Sequence, residues 1–488
     1  MLLEPIFQHA AAGPDDIAFI DDTGSYTRAQ FAGMTVGLGR FLATQTARDK
    51  IGLLLPAGVG FAASFYGTLL AGKAVVPVNF LLGDREIAHV IADSGIDTVV
   101  TIPQLAGKMK DSALKVIDLV ELFTKLKSMP PAPVIPPKTA DDLAVLMYTS
   151  GTSGMPKGVE LTFGNLQSDV EAAVTHANLT GHHKFLGILP LFHSTGLLAT
   201  LLAPIQLGSQ AIYIARFSPV ATIQAIRKHG ISIIAAVPSM YAAIARLKDA
   251  GPDDFKQMYA TISGGEPLPA AVREAFTAKF GVPIYEGYGL TETIGPIAFN
   301  VPGAIEPGSV GRLIPGAEVK TVDDDGNTAP TGEIWLRGPM VTRGYYHLPQ
   351  ATSEAITPDG FFKTGDIGHV DANGYLHVTG RKKELIIVAG EKAVPREIEE
   401  VLMKHPSVAD AAVVGKKDPS RGEVVVAFVI AKEGMQVKPD ELRDFCRAQN
   451  LMQWKIPREI TVVEDLPRSP TGKVLKRVLS ERVNGVTA

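Results

Sequence analysis

An α/β fold spread over more than one domain is what this sequence predicts, and three observations predict it. Apolar runs of strand length alternate with amphipathic runs from the start to about residue 128, and again over 143–300. Between about 301 and 380 the texture changes to short β runs broken by Gly, Pro and Asp turns (VDDDGNTAPTGEIWLRG, VDANGYLHVTG), which predicts a small antiparallel barrel or sandwich. After about residue 383 a compact α+β unit follows, and 488 residues exceed what one core usually holds.

The elements can be justified in order. Ile51–Gly72 lacks charge over a membrane-spanning length. It reads instead as a strand (IGLLLP), a break at Pro56–Gly58 and a helix (VGFAASFYGTLLAG). A second uncharged stretch, Phe185–Ala215, is cut by Pro190, Pro204 and Gly208 and reads as buried βα structure. No integral membrane span is expected from either. SMPPAPVIPPKTADD (128–142) carries five prolines and reads as an extended connector. FLGILPL, SQAIYIA, ISIIAAVP and VPIYEGYG are strand-like. Pro395 opens a helix with an apolar face of Ile398, Val401 and Leu402, and ADAAVVG and EVVVAFVI follow as strands. Pro439 opens a second helix, and Thr471 is placed to cap a last one carrying Val474, Leu475, Val478 and Leu479. No internal repeat or low-complexity tract is visible.

Composition removes several function classes. Hydrophobic content of 46% with 20% charged residues argues against disorder. A net charge of −4 provides no global basic field, so no nucleic acid partner is expected. The single cysteine, Cys446, sits at the apolar spacing Leu442, Phe445, Cys446 and reads as a buried helix residue in a reducing cytoplasm. The N-terminus has no basic region followed by an apolar run, and NGVTA is not a peroxisomal address. No Cys/His cluster suggests zinc.

The most informative stretch is YTSGTSGMPKGVELT, Tyr148 to Thr162. Its Ser, Thr and Gly residues offer free backbone N–H groups and hydroxyls, with one lysine to close on an anion. LAVLMYT before it and GVELT after it read as strands, so the element is strand–loop–strand. A Walker loop is excluded: it opens a helix and places Ser or Thr after its lysine, whereas here Pro156 precedes Lys157 and Gly158 follows it.

Further polar segments punctuate apolar surroundings. ISGGEPL (262–268) carries paired glycines that let backbone approach a flat ligand. YGLTET (288–293) offers the ring of Tyr288 and the carboxylate of Glu292. FKTGD (362–366) ends in Asp366, a natural partner for ribose hydroxyls, and GRKKE (380–384) supplies Arg381. SPTGK (469–473) places Lys473 at the start of the expected last helix, where the dipole disfavours a cation.

Taken in order, YTSGTSGMPKG, YGLTET, KTGD, GRKKELIIVAGEKAVPREIEEVL and PRSPTGKVLKR resemble the successive motifs of the AMP-forming adenylating enzymes. These are the acyl-CoA synthetases, the adenylation domains of peptide synthetases and firefly luciferase. The resemblance covers nearly the whole chain. It implies an N-terminal ATP- and acid-binding domain over 1–382 and a mobile C-terminal domain over 383–488. It also implies ATP, Mg²⁺ and CoA as cofactor and co-substrates. Thr149, Ser150, Gly151, Thr152, Ser153, Gly154 and Lys157 would hold the β- and γ-phosphates, and Glu292 the metal. Gly264, Gly265, Glu266 and Tyr288 would surround adenine, with Gly289 and Thr291 beside them. Asp366 and Arg381 would hold the ribose. Lys473 would bridge the carboxylate and the α-phosphate. Lys383 would be the hinge, and Gly390, Glu391 and Lys392 would enter the CoA tunnel after rotation.

LPLFHSTGL (189–197) resembles the segment that begins the acyl pocket, with His193 where amino-acid-activating relatives usually place an Asp. An unpaired buried ammonium is costly, which disfavours an amino acid there. Leu191, Phe192, Leu197, Leu198, Ile294 and Pro296 favour an apolar tail. The resemblance therefore implies a fatty acyl-CoA synthetase for medium- or long-chain acids. Loading of a separate acyl carrier protein is the nearest alternative, with Lys416, Lys417 and Arg421 as candidate docking charges or a solvated turn. A luciferase-like oxygenase and a catalytically silent nucleotide-binding scaffold are the others. A self-loading synthetase module is not expected, because no carrier domain follows Lys473.

Overall fold

The computed structural model describes residues 2–109, 113–125, 136–149, 155–468 and 474–485. The chain divides into two compact units. The first comprises Met1–Leu268, Ala275–Glu318 and Leu336–Phe362; the second comprises Pro269–Glu274, Val319–Trp335 and Lys363–Ala488.

Two sheets build the first unit. One has six strands in the order Lys115–Asp118, Thr98–Thr101, Lys50–Leu54, Ala74–Pro77, Leu143–Thr149 and Lys157–Thr162. All of its neighbours are parallel except the last pair. The other has nine strands, with a parallel centre of Tyr285–Gly289, Ala260–Ser263, Ile233–Ala236, Lys184–Gly187, Gln210–Tyr213 and Ile17–Asp21. The antiparallel neighbours Pro296–Phe299 and Gly24–Thr27 flank that centre. The first uncharged stretch forms the expected strand and then a helix, Val59–Leu70, which is buried almost all round. Among the described residues no helix is long and apolar enough to cross a membrane.

The second uncharged stretch departs from expectation at Pro204. The proline does not break the helix. Ser194–Leu197 is α-helical, Leu198–Leu202 widens to a π turn, and Ala203–Leu207 resumes the α form. The ring of Pro204 removes the N–H that would bond the Thr200 carbonyl. The Tyr213 hydroxyl donates to that carbonyl instead, at 2.7 Å, so the loss is made good from a neighbouring strand. Gly208 then closes the helix in the left-handed region (φ 66°), where glycine carries no Cβ penalty.

In the second unit the short runs expected over 301–380 form a four-stranded sheet in the order Glu318–Val322, Gly332–Arg337, Phe362–Val370, Leu376–Arg381. The α+β portion is organised by the long antiparallel pair Val408–Asp418 and Gly422–Ala431. Alternation gives this pair two buried faces. Ala411, Val413, Val425, Ala427 and Val429 pack with Ile398, Leu402, Leu442 and Cys446. Ala412, Val414, Val426 and Phe428 pack with Leu466 and Leu479. The helices Pro395–Met403 and Pro439–Ala448 open on the expected prolines. The last helix is shorter than expected and opens at Lys476. Val474 instead forms an antiparallel bridge with Arg468, and the Leu475 N–H donates to Pro467 O at 2.7 Å. Extended pairing thus replaces the first expected turn; Thr471 lies outside the described residues.

Candidate active site

The loop that the sequence analysis reads as anion-binding is framed by the strands expected on either side of it. Leu143–Thr149 and Lys157–Thr162 pair antiparallel, and Thr149 faces Lys157 across the mouth of the hairpin. Ser150, Gly151, Thr152, Ser153 and Gly154 lie outside the described residues. The stem is braced on both sides. The Tyr148 hydroxyl donates to Asp93 Oδ2 at 2.6 Å, and His89 Nε2 lies 2.9 Å from the Pro156 carbonyl. Gly158 is closely packed: a Cβ there would lie 3.0 Å from Leu146 Cδ1 and 3.2 Å from the Tyr148 ring.

A segment that sequence reasoning passed over meets this hairpin. The Glu160 N–H donates to Gly344 O at 3.0 Å, and the Tyr346 N–H to Gly158 O at 2.8 Å. This backbone pairing sets Tyr345 beside the lysine, with Lys157 Nζ 5.4 Å from its ring centroid. The Tyr345 hydroxyl donates to Glu292 Oε1 at 2.8 Å. Burial, then the Glu292 charge, push the phenol well above its ordinary value, so it remains a donor. Lys157, Tyr345 and Glu292 therefore form one cluster from three distant parts of the sequence. The only hint in the sequence is the aromatic pair in RGYYH, which could equally be core.

Glu292 sits in a tight loop. Thr291–Thr293 is one 3-10 turn, the Leu290 N–H donates to Thr293 Oγ1 at 3.0 Å, and the Thr342 N–H donates to Glu292 O at 2.7 Å. Ile294 follows at φ 60° with its side chain 0% exposed. A β-branched residue at positive φ is strained by about 1–3 kcal/mol, and burial of its side chain holds it there. Gly289 and Gly295 are packed together so closely that a Cβ on Gly289 would strike Gly295 O.

Gly264, Gly265 and Glu266 follow the strand Ala260–Ser263, which pairs in parallel with Tyr285–Gly289. The expected adenine residues Gly264 and Tyr288 thus lie on adjoining strand ends. Gly265 adopts φ 82°, a left-handed conformation that needs glycine, and a Cβ on Gly264 would lie 3.6 Å from Gly287 O. His193 stands at the entrance of the Ser194–Leu197 helix, its ring 5.1 Å from Phe192, which meets Phe80 edge-on at 5.0 Å. Its Nε2 is sealed from solvent without a hydrogen-bond partner among the described residues, and burial pushes the imidazole down to about 4. It is neutral at pH 7. Leu191, Phe192, Leu197 and Leu198 beside it are all buried.

In the second unit Asp366 and Arg381 are cross-strand partners, joined by Nε to Oδ1 at 3.0 Å with the Asp side chain only 4% exposed. Lys383 lies in the 3-10 turn Lys382–Glu384. Beyond it, Ile386–Val388 and Glu391–Ala393 form a hairpin whose two-residue tip, Ala389–Gly390, has φ 52° and 90°. Lys392 on this hairpin is ion-paired with Asp324, and Lys382 reaches Glu333 at 3.1 Å. Arg421 and Gly390 line a cavity of about 670 Å³ with Lys417, Asp418 and Glu423. Lys416 is engaged with Glu459 at 2.7 Å.

Lys473 lies outside the described residues, but the helix three positions on is anchored. Lys476 Nζ is 2.8 Å from Glu399 Oε1 and 3.1 Å from Glu384 Oε2, and Glu399 Oε1 also accepts the Val413 N–H at 2.7 Å. Burial works to lower the ammonium, yet the charges of Glu399 and Glu384 outweigh it and hold Lys476 above its ordinary value. Among the described residues no group of three or more His, Cys, Asp or Glu is placed to hold a metal. The hard oxygen ligand of Glu292, beside Lys157, fits Mg²⁺ bound together with phosphate oxygens.

Comparison with known proteins is in keeping with this geometry. The family described as AMP-binding enzyme matches residues 6–346, and the AMP-binding enzyme C-terminal domain matches residues 397–473. A sulfoacetate–CoA ligase of Cupriavidus necator is 36% identical over 476 residues, covering 94% of this chain and 90% of the relative. A long-chain-fatty-acid–CoA ligase of Bacillus subtilis is 32% identical over 480 residues, covering 89% and 85%. The solved structure of o-succinylbenzoate coenzyme A synthetase from Bacillus subtilis, in complex with ATP and magnesium ion, superposes with a TM-score of 0.86 at 30% identity, covering 97% and 98%.

Proposed function

Because this chain belongs to the AMP-binding enzymes, we propose that its acid substrate is a medium- or long-chain fatty acid and that the residues gathered above divide the work of making the CoA thioester. The chain is an ATP-dependent, AMP-forming acid–thiol ligase. In the first half-reaction a carboxylate oxygen attacks the α-phosphorus of ATP, and the bond to pyrophosphate breaks. In the second the CoA thiol attacks the acyl carbon, and AMP leaves. The substrate supplies its own nucleophile, so the protein's task is positioning and cancellation of negative charge.

The cluster of Lys157, Tyr345 and Glu292 carries this reading. In it Lys157 neutralises phosphate charge at the mouth of the hairpin, with Thr149 and the loop 150–154 around the β- and γ-phosphates. Glu292 would hold Mg²⁺, which on binding spreads charge from the departing pyrophosphate. Tyr345 fixes the rotamer of Glu292 by its hydrogen bond. Gly264, Gly265, Glu266, Tyr288, Gly289 and Thr291 would receive adenine, and Asp366, oriented by Arg381, the ribose. Residues 1–382 would serve as the ATP- and acid-binding domain. Residues 383–488 would turn about Lys383, alternately presenting Lys473 and the hairpin of Gly390, Glu391 and Lys392. The buried apolar side chains beside His193, with Ile294, support a hydrocarbon tail. A lone buried thiol suits a reducing, cytoplasmic setting.

The test is AMP release with ATP, Mg²⁺ and CoA against a panel of carboxylic acids, with thioesters identified by mass spectrometry. Acyl-CoA from fatty acids of eight or more carbons is expected. Thioester from short anionic acids alone would refute the fatty acid, and adenylate without thioester would redirect the acceptor to a carrier protein.

A further inference from the structure

The helix Phe163–His176 presents an apolar face of Leu166, Val170 and Ala173 to the core. Asp169 lies on that same face. It is 0% exposed, and neither of its carboxyl oxygens has a hydrogen-bond partner among the described residues. A buried carboxyl that binds nothing costs several kcal/mol, a desolvation penalty that an apolar residue of similar volume would not carry. Among the described residues, no protein group satisfies the Asp169 carboxyl.

Its surroundings indicate what the carboxyl is for. A Cβ on Gly295 would collide with Asp169 Oδ2 and would lie 2.6 Å from a Leu198 methyl, so a bare backbone stands against the carboxyl. Gly295 is three residues beyond Glu292, which is bound to Tyr345 beside Lys157. Leu198 opens the π turn five residues after His193. The carboxyl is thus held between the phosphate-facing cluster and the helix that follows His193. His193 itself brings a second sealed polar atom, Nε2, without a partner among the described residues. Burial pushes the Asp169 carboxyl well above the ordinary carboxylate range, so it is able to donate as well as accept a hydrogen bond.

We infer that Asp169 is the specificity-determining residue of the acid pocket, and that the preferred acid carries a hydroxyl or amino group on its chain or ring that hydrogen-bonds this carboxyl. The inference rests on the acid–CoA ligase reading above, independently of the fatty acid proposed there, and adds a polar feature that the acid carries. A polar substrate group satisfies the orphan carboxyl, and the analogue without that group leaves it unpaired. Sites built this way reject the lacking analogue far more strongly than apolar pockets discriminate a methylene.

Matched acids test this. Hexanoate and octanoate are compared with their ω-hydroxy and ω-amino counterparts, and benzoate and cinnamate with their ring-hydroxy and ring-amino counterparts. The readout is kcat/KM for AMP release with CoA. At least one donor-bearing acid is expected to exceed its parent by tenfold or more in the native protein. Asp169→Leu should erase or invert that ratio. The near-isosteric Asp169→Asn should keep a preference for a hydroxyl or a neutral ring amine and lose one for an ω-ammonium, which separates neutral from charged donors. Parents that equal or exceed their counterparts, with ratios unmoved by Asp169→Leu, overturn the inference. Calorimetric binding of the same acids beside α,β-methylene-ATP reads the pocket without turnover. There a donor preference abolished by Asp169→Leu supports the inference even if no thioester forms, and equal binding of paired acids overturns it. Absence of AMP with every acid would count against the ligase reading alone.

Discussion

Replacing Lys476 by Met tests whether the C-terminal portion is held together by the ion cluster at Glu399 and Glu384. The methionine keeps the stem and removes the charge, leaving Glu399, whose side chain is 11% exposed, beside Glu384 at 31%. Removing one member of a buried pair typically costs about 3–5 kcal/mol, because the remaining charge is uncompensated. Glu399 escapes that penalty by taking a proton. From its ordinary value of 4.5 the cost of doing so is about 1.4 kcal/mol per pH unit, or about 4 kcal/mol at pH 7.5. The two routes are comparable, so a loss of about 3–4 kcal/mol is expected at pH 7.5. The sign follows from linkage. In the variant the folded-state Glu399 lies further above its unfolded value than it does in the native protein. The stability it retains is fully present below pH 4.5 and is lost as pH rises through the folded value. Lys476 in the native protein lies above 10.5, so its own contribution is constant over this range. The difference between the two proteins should therefore shrink to about 1.5 kcal/mol or less at pH 5.5. Urea unfolding followed by Trp454 emission reads this region, because Trp454 packs against the core that holds Ile398 and Leu402. Trp335→Phe removes the only other tryptophan. A loss below 1 kcal/mol at pH 7.5, or one that does not fall on acidification, would refute the reasoning.

Tyr345→Phe deletes the hydrogen bond to Glu292 and should lower the adenylation rate about tenfold, mostly through a raised Mg²⁺ requirement, since bonds to charged groups are worth about 1.5–3 kcal/mol; a Mg²⁺ titration of pyrophosphate release checks it. Tyr213→Phe orphans the Thr200 carbonyl and should cost about 1–3 kcal/mol by chemical denaturation, with the double variant Tyr213→Phe, Pro204→Ala recovering part of it. Lys473→Ala should abolish adenylate formation and spare thioester formation from supplied acyl-adenylate; equal loss of both half-reactions would remove the proposed role.

What the sequence discloses and what it hides divide along physical lines. The strand–loop–strand frame around Lys157 is legible because short apolar runs and glycine punctuation are local signals. So is the helix opening at Pro395, whose apolar spacing is its own evidence. The π turn is not legible. A proline in an apolar run signals a break, and only the hydroxyl of Tyr213, from another strand, allows the helix to continue. The last helix reads as starting too early because Leu475 and Val474 fit a helical spacing, while Pro467 and Arg468 claim them by backbone pairing. Tyr345 escapes notice because its partners, Lys157 and Glu292, are distant in sequence. Asp169 has a readable signal, a carboxylate on an apolar helical face, yet its orphan state is a fact of three-dimensional packing.

The widened turn at Leu198–Leu202 also bears on how the proposed acid pocket can change over generations. A π turn is an α-helix carrying one surplus residue. Deleting a single codon within it would restore a regular helix without breaking the element. Everything on the N-terminal side, His193 included, would then rotate by roughly 100° about the helix axis relative to the residues on the C-terminal side. No substitution moves so many side chains at once while keeping the chain folded. Lineages that differ by one residue in this segment should accordingly differ abruptly in the acids they accept, and insertion–deletion libraries centred here should shift specificity more often than point libraries of equal size.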